Sequence, residues 1–120
     1  MFKKTLEGMV DRMDDTVIGA ILMDKEGITL EKIGDDPDPM LDAETLGMEY
    51  SVILKSAFKT AEMVDAGAVN EVFITNEKFT TMLRMVNDEY FVAMFLRPGA
   101  NMGKGRLLLR TSAARFVKEL

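Results

Sequence analysis

The stretch Gly99-Ala100-Asn101-Met102-Gly103-Lys104-Gly105 is the first place to look for chemistry, because a glycine-rich loop closed by lysine can cradle phosphate. It departs from that pattern twice. Three residues rather than four separate its first glycine from Gly-Lys, and Gly105 stands where a magnesium-binding hydroxyl is required. It also follows no βαβ unit of the nucleotide-binding kind, so a flexible entry into a helix is expected. Asp35, Asp36 and Asp38 offer carboxylates for calcium, but the loop lacks the sixth-position glycine and twelfth-position glutamate of a calcium loop. It reads as a solvated connection. The pairs Asp14/Asp15 and Asp88/Glu89 fall at predicted turns, where acids bond local backbone, and they read as structural.

Composition narrows the chemistry further. The 120 residues include no His, no Cys and no Trp. That excludes the usual zinc sites, disulfides, thiol nucleophiles and Ser–His triads. An enzyme is therefore disfavoured, and no metal, flavin or nucleotide cofactor is expected. The net charge of −5 argues against a nucleic-acid partner. Acid dominates residues 1–60, with 13 Asp/Glu against 7 Lys/Arg, while base collects near the end, from Arg97 to Lys118. No apolar run approaches the ~20 residues of a membrane span, so no membrane insertion is expected. Met1-Phe2-Lys3-Lys4 precedes no apolar run, which excludes a signal peptide and leaves the cytoplasm as the expected location. The length suits one domain over residues 1–120.

The elements that would position any site follow from periodicity. Leu6, Met9, Val10 and Met13 mark a first helix, broken at Asp14-Asp15-Thr16. Residues 17–23 and 28–33 read as a hairpin turning at Asp24-Lys25-Glu26-Gly27. The acid- and proline-rich residues 34–39 form a loop. Asp42 should cap a long helix running to about Ala66, stopped by Gly67, with a core stripe of Leu46, Tyr50, Ile53, Leu54, Ala57, Phe58, Ala61 and Val64. Met48, Val52, Ser56 and Met63 form a second line off that stripe, suited to packing against a partner helix. Residues 69–75, 79–86 and 90–96 read as a meander, followed by a final helix carrying Leu109, Ala113, Phe116 and Leu120. Residues 90–96 are apolar on both alternating faces, so helices must cover the sheet on both sides.

The hairpin Ile21-Leu22-Met23-Asp24-Lys25-Glu26-Gly27-Ile28, the strand Ala66-Gly67-Ala68-Val69-Asn70-Glu71-Val72-Phe73-Ile74-Thr75, then Phe79-Thr80-Thr81-Met82-Leu83, Tyr90-Phe91-Val92-Ala93-Met94 and the helix entry Met102-Gly103-Lys104-Gly105-Arg106-Leu107-Leu108-Leu109-Arg110 come in a recognisable order. From about Leu6 to Leu120 the chain resembles the Roadblock/dynein light chain family, in particular its bacterial gliding-motility protein B-like members. The resemblance implies an α+β fold in α-β-β-α-β-β-β-α order: a five-stranded antiparallel sheet with one long helix on one face and two terminal helices on the other. It implies a homodimer joined through the long helix and third strand, which binds a small Ras-like GTPase as a regulator or scaffold without an active site of its own. Arg84, Arg106 and Arg110 could reach a partner, but the resemblance implies no arginine finger.

Within that frame the third strand is expected at a sheet edge, where Val69 and Phe73 invite pairing with another chain and Glu71 is its only charge. The expected dimer interface is Met48, Val52, Ser56 and Met63 with Val69, Glu71 and Phe73. Lys55 and Lys59, four apart, with Glu62 one turn on, form the expected GTPase-binding face. The alternative is a ligand-sensing module of the profilin or PAS kind, which would require a roomy internal pocket.

Overall fold

A computed structural model of the chain describes residues 2–34 and 42–120. The acidic loop beyond Gly34 lies outside the described residues. The elements are α1 (Phe2–Asp11), β1 (Val17–Asp24), β2 (Thr29–Ile33), α2 (Ala43–Met63), β3 (Glu71–Thr75), β4 (Thr80–Met85), β5 (Tyr90–Leu96) and α3 (Met102–Glu119). Their order is the expected one. The strands form one antiparallel sheet ordered β2-β1-β5-β4-β3, which leaves β2 and β3 at the edges.

The period-2 alternation of β5 sorts the core into two halves. Val92, Met94 and Leu96 pack with Leu6 and Met9 of α1 and with Leu109 and Phe116 of α3. Phe91, Ala93 and Phe95 pack with Leu54 of α2, and Phe79 meets Phe95 edge-on at 6.5 Å between ring centroids. The long helix thus covers one face and the terminal helices the other. Leu54 is the deepest side chain of α2, so Leu54→Ala should cost about 2–5 kcal/mol of stability, read from denaturant midpoints.

Turn chemistry sets the joints. In the β1–β2 hairpin Asp24 Oδ1 accepts from the backbone N–H groups of Glu26 and Ile28, both at 2.9 Å, and Gly27 takes φ +88°. Asp42 caps α2, accepting from the Glu44 N–H at 3.1 Å and the Thr45 hydroxyl at 2.8 Å. The Thr45 hydrogen bond is the main cause holding the Asp42 carboxyl below its ordinary value.

Several boundaries differ from the sequence expectation. The first helix stops at Asp11, and Met13 is buried from the turn beyond it, where Asp14 and Asp15 both adopt positive φ. The long helix ends at Met63 rather than Ala66. Its stop is Asp65 at φ +53°, with Asp65 N–H bonded to the Glu62 carbonyl and Ala66 N–H to the Ala61 carbonyl, the paired bonds of a Schellman cap. Gly67 comes two residues too late for that role. The third strand begins at Glu71, so Val69 precedes it, and the fourth spans Thr80–Met85 inside the expected 79–86.

Candidate functional site

The expected stripe of α2 holds in part: Leu54 is buried, and Leu46, Tyr50 and Phe58 pack against the core, but the centre of the buried arc is shifted. Ala43, Gly47, Ser51 and Leu54 face the sheet, whereas Ile53 and Val64 are 43% and 68% exposed. Close approach explains the rotation. A Cβ on Gly47 would lie 2.9 Å from the Met23 methyl, and the Ser51 hydroxyl is satisfied within the helix by the Met48 carbonyl at 2.6 Å. The small residues at i, i+4 and i+8 seat the helix on β1, Leu46, Tyr50 and Phe58 pack beside them, and Ile53 and Val64 are turned outward. An apolar-only count passes over glycine and serine, which is why sequence reasoning assigned Ile53 and Val64 to the core.

The outward side of α2 is therefore rich in unburied apolar surface. Met48, Val52 and Met63 are exposed, Met63 at 82%. At 3.6 residues per turn, Met48, Val52, Lys55 and Lys59 share an arc of about 60°, and Ser56 and Met63 extend it to about 100°. The two residue sets kept apart in the sequence reading thus lie on one surface. Lys55 leans toward the β1–β2 hairpin, where its Nζ meets Glu26 Oε2 at 3.0 Å, and Lys32 meets Glu44 at 3.3 Å along the same side. Ile28 of the hairpin is also exposed. Lys59 has no ion pair among the described residues. Ile53 and Val64 lie about 160–180° around the axis from Lys55, on the flank away from β2 and toward β3.

β3 supplies the second half of the site. The Asn70 carbonyl accepts from the Met85 N–H at 2.9 Å. By the alternation of an antiparallel ladder, the backbone groups of Glu71, Phe73 and Thr75 then point away from β4. This edge is unpaired in the single chain. Glu71 is not an isolated edge charge: its carboxylate accepts from Arg84 at 2.9 Å and from Arg106 of α3, whose guanidinium also lies 6.0 Å from the Phe73 ring centroid. Burial pushes the Glu71 carboxyl up, but the two arginines outweigh it and hold the group below its ordinary value near 4.5. A carboxyl so depressed stabilises the fold fully above pH of about 4.5, and that contribution is lost as pH falls through the folded-state value. Glu71→Gln should flatten this acid limb, which urea midpoints measured from neutral pH downward will show.

Glu62 and Val69 meet at a cleft of about 510 Å³ between the C-terminal end of α2 and the end of β4, lined also by Phe58, Ala61 and Met85. Val69 lies off α2 altogether, whereas exposed Glu62 is about 20° around the axis from Lys55 and borders both the arc and the cleft. The glycine-rich segment at 99–105 serves as the entry to α3, with Asn101 accepting from the Lys104 N–H at 3.0 Å, and Lys104 pairs with Asp14. Among the described residues no group of His, Cys, Asp and Glu is arranged to hold a metal ion, and no helix is long and apolar enough to cross a membrane.

No family model and no curated protein matches the chain. Solved structures do. MglC from Myxococcus xanthus is 31% identical, with 99% of this chain and 98% of that chain covered and a TM-score of 0.68. Myxococcus xanthus MglB superposes more closely, at TM-score 0.85, with 13% identity over 98% of this chain and 92% of that one. A Roadblock/LC7 domain from Streptomyces avermitilis gives 0.82 with 16% identity over 97% and 93%. Profilin IB of Acanthamoeba castellanii shares the layout less closely, at 0.65 and 10% identity over 99% and 98%.

A five-stranded sheet between one long helix and two terminal ones, with an apolar helix face and a free strand edge, defines a sheet-and-helix module of the Roadblock class. Nearly complete coverage of a 31% identical relative adds a sequence relationship to the fold. The chain belongs to the Roadblock/LC7 family, with the fold of its MglB-like members.

Proposed function

We propose that this chain is a homodimeric, non-catalytic regulator that binds a small Ras-like GTPase and modulates its GTP hydrolysis. The observation that carries the reading is the pairing of exposed Ile53 and Val64, on the flank of α2 toward β3, with the open β3 edge. A second copy placed antiparallel along β3 extends the sheet through the outward backbone of Glu71 and Phe73. It also covers Ile53 and Val64, with Ser56 and Met63 at the crossing of the two helices. Val69, just ahead of the strand, borders the same seam. The hairpin-side arc of Lys55 and Lys59, with Met48 and Val52 on the preceding turns, then stays open on each protomer. Glu62 lies at its far end. Such an apolar surface edged by lysine suits the acidic, phosphate-bearing switch region of a GTPase, where charge complementarity raises association rate and selectivity. The sequence relationship to MglC and the fold shared with MglB support placing the chain in this class. The filled core of Met, Phe and Leu side chains favours this reading over a ligand sensor. The test is co-purification with the host's small Ras-like GTPase loaded with a GTP analogue or with GDP. Retention in the GTP-like state is expected, and equal absence in both states would refute the reading.

A further inference from the structure

The face of the sheet opposite α2 carries a second, chemically distinct surface. Between α3 and the end of β4 runs a groove of about 490 Å³, its walls formed by Met85, Val86, Ala114 and Val117, with Arg84 and Arg110 at its margin. Its charge is one-sided, since no acidic residue lines it. Nearby, a single carboxylate, Glu71, is shared by two guanidiniums, those of Arg84 and Arg106. That leaves the cluster one positive charge in excess, and Arg110, without an ion pair among the described residues, adds another. Arg106, Arg110, Ala114 and Val117 recur at i, i+4, i+8 and i+11 along α3, so base and apolar surface alternate down one flank.

We infer that this groove docks a segment of a partner protein in which a carboxylate is flanked by apolar side chains. The carboxylate answers exposed Arg110 and the excess positive charge of Arg84 beside it, and the flanking aliphatic or aromatic groups fill the channel over Ala114 and Val117. Guanidinium groups favour carboxylates geometrically, and a charge-assisted contact at a half-buried arginine is worth more than one in open water. A basic or neutral segment would leave the arginines uncompensated. The site lies across the sheet from α2 and does not depend on the GTPase-binding reading.

The test uses the full chain as bait against a displayed library of random peptides roughly ten residues long, with Arg110→Glu and the α2 variant Lys55→Glu/Lys59→Glu as parallel baits. Arg110 is exposed, so its replacement should leave the melting temperature unchanged. Selection on the parent and on the α2 variant should enrich one consensus of Asp or Glu beside Leu, Ile or Phe. A synthetic peptide of that consensus should bind Arg110→Glu about tenfold more weakly or worse, with amide shifts in the parent centred on Ala114 and Val117. The inference is overturned by no enriched consensus, by one lacking acids, by retention on Arg110→Glu, or by shifts centred on α2.

Discussion

Phe73→Pro should separate the two protomers while leaving each one folded. The backbone of Phe73 points away from β4, so proline there removes no hydrogen bond within the chain, and the extended backbone of a strand suits both proline and the residue before it. What it removes is the donor offered to the second copy, and by the two-fold symmetry of such an interface the loss counts twice. At about 1 kcal/mol for each hydrogen bond, with the ring's steric clash added, dimer affinity should fall by roughly 100-fold or more. Loss of the aromatic ring also frees Arg106 from its contact over Phe73, a smaller effect confined to the surface. Sedimentation velocity should show a monomer at micromolar concentration where the parent is a dimer, and far-ultraviolet circular dichroism should be unchanged. A parent that is already monomeric, or a variant that stays dimeric, contradicts the β3 seam.

The second large effect is expected from Lys55→Glu combined with Lys59→Glu. Both lysines are exposed on α2, and neither contributes to the packing around Leu54. The reversal sets a carboxylate opposite Glu26 where Lys55 now makes an ion pair, but that pair is open to water and worth no more than about 1 kcal/mol. Fold and dimer should therefore survive. Binding of the GTPase should weaken by about 10- to 100-fold at low ionic strength, because four charges change sign on the dimer's partner surface. The difference should shrink as salt shortens the screening length. Titrations at several salt concentrations will decide. Equal binding by the variant and the parent across the range removes this face from the site.

Much of this architecture is legible in the residues. Period-3.6 stripes locate three helices, and the two-faced strand at residues 90–96 demands helices on both sides of the sheet. Asp24 and Gly27 announce the hairpin, and Asp42 announces the start of α2. The edge position of the third strand follows from its place at the head of the meander. Failures occur where the decisive residue is not the one that hydrophobic counting weighs. Gly47 and Ser51 choose the face of α2 that touches the sheet because they are small, and this choice expels Ile53 and Val64. Asp65 ends α2 by accepting a left-handed backbone, a role the reading gave to Gly67. The Glu71–Arg84–Arg106 cluster was out of reach because it joins two strands and α3, whose mutual register no local pattern encodes. The candidate site was thus legible in its elements and less so in its orientation. Lys55 and Lys59 were rightly placed off the core, but only the helix's seating on β1 shows that they share an arc with Met48 and Val52.

The most direct test of the account is the mass of the complex in solution, measured by light scattering on a size-exclusion column. The chain is mixed with the host's small Ras-like GTPase in its GTP-analogue and GDP forms. The account predicts a species containing two copies of this chain with the GTPase in the GTP-like state, and a free dimer of this chain with GDP. A monomer of this chain in either mixture, or a dimer that never carries the GTPase, would contradict it.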